Sequence, residues 1–131
     1  MVMVSGKPRF STINPASRAV LDRPNWYELT EPLSYGDIHL PIGFLTDYAS
    51  TPPFTWPIFP PRGKYDPASL VHDWLYKNSI GTRKEADDIF LECMILLDVP
   101  VWKRRTMYRA VRLFGGGVWK KALKKNRTVG K

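Results

Sequence analysis

The chain reads as an α+β domain: a small N-terminal antiparallel β-sheet, a proline-rich loop, then three to four C-terminal helices that include an antiparallel pair. Three observations predict this. Short strand-like runs fill the first 50 residues, prolines crowd the stretch after them, and capped segments of helical period follow. At 131 residues the chain is one domain with room for a core. It divides into a β-rich part (1–50), the proline-rich loop (51–65), a helical part (66–117) and a basic tail (118–131).

In the β-rich part, Arg18-Ala-Val-Leu21 is a short apolar run broken by Asp22-Arg-Pro-Asn25. Trp26-Tyr-Glu-Leu29 follows, then a turn at Pro32. Tyr35-Gly-Asp-Ile-His-Leu40 alternates around Gly36, and Ile42-Gly-Phe-Leu45 could continue that sheet after Pro41. His39 falls on this strand, where an isolated His is ordinarily structural. From Thr51 to Pro61 helix is excluded and sheet disfavoured, because proline lacks an N–H and restricts the residue before it. Phe54, Trp56 and Phe59 suit this segment to lie as an aromatic loop across the core.

Asp66-Pro67 is an N-cap followed by proline at the first helical position, and the helix should run to about Asn78 and stop near Gly81. Thr82-Arg-Lys-Glu85 is a capping box that opens a second helix reaching about Leu97. The short Ser79-Ile-Gly link makes these two helices antiparallel neighbours. Asp98-Val-Pro100 starts a third helix that should end at Gly115-Gly-Gly117, with a short basic helix over Val118–Lys125. On the third helix Arg105, Arg109 and Arg112 share one face, and Met107, Tyr108, Val111 and Phe114 the other.

The candidate site lies on the first two helices. His72 and Asp73 are neighbours, so they point about 100° apart and can serve two partners. Tyr76, one turn on, shares the face of His72. On the second helix Ala86, Phe90, Cys93 and Leu97 form the buried stripe; Asp87 falls at its edge, facing the first helix, and Asp88 turns toward solvent. A carboxylate on one imidazole nitrogen would fix the tautomer and leave the other nitrogen as a base. That leaves Asp73 to hold a cation, the arrangement of metal-assisted hydrolysis. Against it stands the plainer possibility of a helix pair stapled by a buried His–Asp hydrogen bond. Thr46, Asp47 and Ser50 are turn formers that could also line a pocket, Asp47 as a second metal ligand.

Bulk composition narrows the classes. Cys93 is alone, so no internal disulfide forms, and one Cys with two His excludes a Cys/His structural zinc site. No apolar run approaches the ~20 residues of a transmembrane helix, and the N-terminus lacks a signal-peptide layout. Residues 1–98 carry nine Lys/Arg against twelve Asp/Glu, whereas residues 99–131 carry eleven Lys/Arg and no acid. Such asymmetry points to an anionic partner, membrane lipid or a nucleic-acid backbone. Trp119 in the last basic segment is placed as an interfacial residue.

His72-Asp-Trp-Leu-Tyr76 and Ala86-Asp-Asp-Ile-Phe90 resemble the helix pair of phospholipase A₂ enzymes, including the domain carried in small-virus capsids. That resemblance, over roughly residues 66–97, implies His72 as base, Asp73 as the carboxylate for calcium, and Tyr76 and Asp87 as supports. The Gly-rich calcium loop of those enzymes has no counterpart in Phe59-Pro-Pro-Arg-Gly-Lys-Tyr65. More broadly, Gly43-Phe-Leu-Thr-Asp-Tyr-Ala-Ser50, His72-Asp-x-Leu-Tyr76 and Arg83-x-x-Ala-Asp87 resemble an uncharacterised bacteriophage and prophage protein family. It implies a viral origin, with residence in the phage virion or the host cytoplasm and other phage particle proteins as partners. The expectation is thus a phage-encoded, virion-associated ester hydrolase; the alternative is a non-enzymatic tail or head protein with a basic C-terminal interaction surface.

Overall fold

The computed structural model describes residues 9–12, 15–22, 26–46 and 66–129. The proline-rich loop, Asp47 and Ser50 lie outside the described residues. Among the described residues an α+β architecture is observed, with antiparallel strands first and four helices after them. Strands β1 (Ser17–Ala19), β2 (Tyr27–Leu29) and β5 (Leu45–Thr46) form one sheet with β2 in the middle; Arg18 faces Glu28, and Tyr27 faces Thr46. Strands β3 (Leu33–Tyr35) and β4 (Ile38–Leu40) form a separate hairpin, with Leu33 opposite Leu40.

Two strand expectations need correcting. Tyr35–Leu40 is not one strand: Gly36 adopts φ +58° and, with Asp37, makes the two-residue turn of the hairpin. Nor does Leu45 extend that hairpin. Gly43 at φ +88° turns the chain, and β5 pairs with β2 instead. Alternation survives on β4, where Ile38 and Leu40 are buried and His39 is exposed. His39 Nδ1 lies 2.9 Å from Ser34 Oγ across the hairpin, a local role.

The helices are α1 (Asp66–Lys77), α2 (Arg83–Leu96), α3 (Val101–Phe114) and α4 (Gly116–Val129). The capping box opens α2 as expected: the Glu85 N–H donates to Thr82 Oγ1 at 3.1 Å, and the Thr82 N–H to Glu85 Oε1 at 2.9 Å. A cap of this kind contributes about 1 kcal/mol. Tyr76 meets Asp87, while His72, one turn earlier, meets Phe90, so α1 and α2 run antiparallel. The core joins Val71 and Leu75 of α1, the Ala86-Phe90-Cys93 stripe of α2, Met107 and Val111 of α3, and Leu33, Tyr35 and Leu40 of the hairpin.

The C-terminal end departs from expectation. Only Gly115 interrupts the helices; Gly116 and Gly117 belong to α4, which runs to Val129 and so turns most of the basic tail into a full helix. Packing explains why. Asn126 Nδ2 donates to Lys77 O and to Ser79 Oγ, both at 2.9 Å, meeting acceptors at the C-terminal end of α1. Trp119, expected at an interface, is half-buried with its ring edge-on to Tyr76 at 5.2 Å. Contact with α1 outweighs the glycines' weak helix propensity.

Candidate active site

Asp87 has no exposed surface, and His72 is 3% exposed. His72 Nε2 lies 2.8 Å from Asp87 Oδ1, and the Tyr76 hydroxyl donates to the same oxygen at 2.6 Å. The sequence brings these three together because 72 and 76 stack on one face of α1 and the tight link folds α2 against it. The imidazole is flanked by the Tyr76 ring at 4.3 Å and the Phe90 ring at 4.6 Å. Since Asp87 is ionised, Nε2 carries the hydrogen, and in the neutral ring Nδ1 then bears the lone pair. Among the described residues no hydrogen bond reaches Nδ1.

The other carboxylate oxygen is held by groups the sequence reading did not assign to the site. Arg112 Nη1, from α3, donates to Asp87 Oδ2 at 2.7 Å, and Arg83 Nη1 lies 3.5 Å from it. Arg83 also donates to Val111 O and Arg112 O at 3.2 Å each, tying α2 to the end of α3. Burial alone pushes the Asp87 carboxyl up, but hydrogen bonds from His72, Tyr76 and Arg112 outweigh it and hold the carboxyl below its usual range. Burial, reinforced by the hydrogen bond to Asp87, pushes the Tyr76 phenol up, so it stays a donor.

Arg112 was expected on the same polar face as Arg105 and Arg109; instead it is half-buried against Asp87. Periodicity could not distinguish it, because positions 105 and 112 are seven residues apart and nearly superpose on a helix. Arg83 left a signal, standing one turn before Asp87 in the quoted pattern. Gly115 left none. A Cβ there would sit 2.5 Å from Val111 O and 2.6 Å from the Tyr76 hydroxyl, so the glycine lets α3 close over the site.

Asp73 points elsewhere, as expected, and Lys77 Nζ lies 3.3 Å from its Oδ2. That ammonium also donates to Leu45 O at 2.8 Å and sits 4.7 Å from the centre of the Trp26 ring. Among the described residues no three His, Cys, Asp or Glu side chains gather to hold a metal ion. On these residues alone the calcium fit is poor, since Asp73 already faces a lysine. Asp47, the other expected ligand, lies outside the described residues. Asp88 is on the outer side, bonded to Lys84 at 2.7 Å and to the Tyr108 hydroxyl at 2.6 Å.

Fold and site together define a small α+β domain with a buried carboxylate shared by three helices. The chain belongs to the family described as "Protein of unknown function (DUF1353)", which matches residues 25–111. That span takes in His72, Asp73, Tyr76, Arg83 and Asp87 and stops one residue short of Arg112. The chain is also similar to "Uncharacterized protein y4jT" of Sinorhizobium fredii (strain NBRC 101917 / NGR234), 32% identical over 96 residues. The match covers 68% of this chain and 29% of that protein, so the chain spans less than a third of its relative. No solved structure matches the chain.

Proposed function

We propose that the chain is a phage-encoded ester hydrolase with His72 as its general base. The observation that carries this is the shared oxygen: His72 and Tyr76 both bond Asp87 Oδ1, a contact that fixes which imidazole nitrogen is basic. In the proposed reaction Nδ1 of His72 takes a proton from water as the oxygen attacks the ester carbonyl. The carbonyl carbon–alkoxide bond then breaks, and the proton passes from His72 to the departing alkoxide. Asp87 stays ionised throughout and stabilises the transient imidazolium. The likeness of α1 and α2 to the phospholipase A₂ helix pair supports a carboxylic ester as substrate. Calcium on Asp73 and Asp47 belongs to the same proposal, but no step above depends on it.

The phage resemblance supports a place in the virion or the infected host's cytoplasm, among other particle proteins. The basic α3–α4 segment supports an anionic partner. A second interpretation has its own observation. Asp87 is approached by His72, Tyr76, Arg83 and Arg112 from three helices, as a purely structural staple in a tail or head protein would be.

Turnover of phosphatidylglycerol and of short-chain chromogenic esters distinguishes them. Wild type is expected to release acid, and His72→Asn to fold normally by circular dichroism and release none. Absence of turnover in wild type, or equal turnover in the variant, would leave the staple alone.

A further inference from the structure

Large apolar side chains are exposed along the outer side of α3 and at its junction with α4. Trp102 is 62% exposed and Leu113 75%, and Phe114 and Val118 are also exposed. Trp102, Arg105, Arg109 and Leu113 fall within about 100° of arc at 100° per residue, a single outward stripe. Its apolar ends are about 17 Å apart at 1.5 Å rise per residue, with the two arginines between them. Arg105 and Arg109 are exposed, as are Lys120, Lys121, Lys124, Lys125 and Arg127 of α4. No acid occurs anywhere after Asp98.

We propose that this outer side of α3, with the α3–α4 junction, is a docking face for an anionic lipid bilayer. Two features must be satisfied together. A phosphate backbone would complement the cations but has no use for exposed Leu113, Phe114 and Val118. A bilayer surface takes both: headgroup phosphates meet the arginines and lysines, and the apolar side chains enter the acyl boundary. A helix lying flat suits the stripe, because arginine stems lie along the interface while their heads stay hydrated. The half-buried Trp119 is not part of this face; Trp102 supplies the exposed indole. No described helix is long and apolar enough to cross the membrane, and the proposal concerns docking at the bilayer surface.

This inference rests on the anionic-partner interpretation of the basic helices and is independent of the hydrolase proposal. The test is flotation of the full chain with phosphatidylglycerol/phosphatidylcholine vesicles, with phosphatidylcholine vesicles, and a parallel titration with duplex DNA. Binding is expected to the anionic vesicles and to weaken with salt. Leu113→Ser with Phe114→Ser, which removes no charge, should lower partitioning at least about tenfold. Arg105→Gln with Arg109→Gln should also lower it at least about tenfold. Both pairs are exposed, and unchanged circular dichroism and melting would show the fold retained. Anionic-vesicle binding unaffected by the Leu113/Phe114 pair overturns the proposal. DNA binding without flotation also overturns it yet leaves an anionic partner; failure of both removes the anionic partner as well.

Discussion

Arg112 and Arg105 lie on the same helix, two turns apart and on nearly the same side, and their environments are opposite. Arg112 reaches the sealed Asp87 carboxylate, where Arg83, His72 and Tyr76 converge on it as well. Arg105 is exposed on a stripe with no acid in its part of the chain. One region matches charge internally; the other leaves a surplus of cations at the surface. Charge inside a fold is tolerated only when paired and hydrogen-bonded, whereas outside it is screened and contributes little to stability. The inner arginine should therefore matter for holding the helices together, and the outer one for what the surface attracts.

The largest expected effect comes from removing the carboxylate. Asp87→Ala leaves Arg112 and Arg83 facing an apolar gap and deprives His72 and Tyr76 of their acceptor, which should cost about 3–5 kcal/mol by urea denaturation. A loss below about 1 kcal/mol would mean that the Asp87 cluster does not hold the three helices together. Gly115→Ala comes next. Its Cβ would meet backbone Val111 O as well as the Tyr76 hydroxyl, so α3 must shift, at about 1–3 kcal/mol. Unchanged stability there would show that the end of α3 is loosely held.

Tyr76→Phe removes a single donor to Asp87 and should cost about 1–2 kcal/mol, with the ring's packing kept. The two arginines supply the direct contrast. Arg112→Gln should cost about 2 kcal/mol and Arg105→Gln no more than about 0.5 kcal/mol. Equal costs in the two melts would erase the distinction between inner and outer charge.

Acid titration sharpens the same contrast. Asp87 has a lower carboxyl pKa in the fold than in the unfolded chain, so its contribution is fully present above the ordinary carboxylate range. It is lost as pH falls through the folded value. Asp88 is also lowered: slight burial pushes it up, and Lys84 and Tyr108 pull it down further, but its side chain is only half-buried and solvent screens the gain. Asp87→Asn should flatten the acid limb of the stability curve, and Asp88→Asn should leave it nearly unchanged. The reverse order would contradict the placement of the two acids.

How far the site was legible depended on whether each contact was local. Thr82 and Glu85 are three residues apart, and their reciprocal hydrogen bonds follow from helix geometry. His72, Tyr76 and Asp87 are joined by a link too short for any arrangement but an antiparallel pair. Arg112 comes from 25 residues beyond Asp87 and looks like any other basic residue of an amphipathic helix. Gly115 looked like a helix stop and proved to be a contact surface for Tyr76. Trp119 looked like an interfacial residue for a similar reason: its partner lies on α1 and leaves no trace near it in the chain.

By itself the amino-acid order determined the α+β class, the start of α1 and α2, the buried stripe of α2, and the meeting of His72 with Asp87. These rest on capping, periodicity and short links, interactions that span a few residues and need no knowledge of the rest of the fold. Tertiary structure alone decided the split into two sheets, the unbroken α4, and which arginine of α3 turns inward. Those outcomes depend on where distant helices cross, and a helical wheel assigns the same angle to two residues a heptad apart whatever stands opposite them.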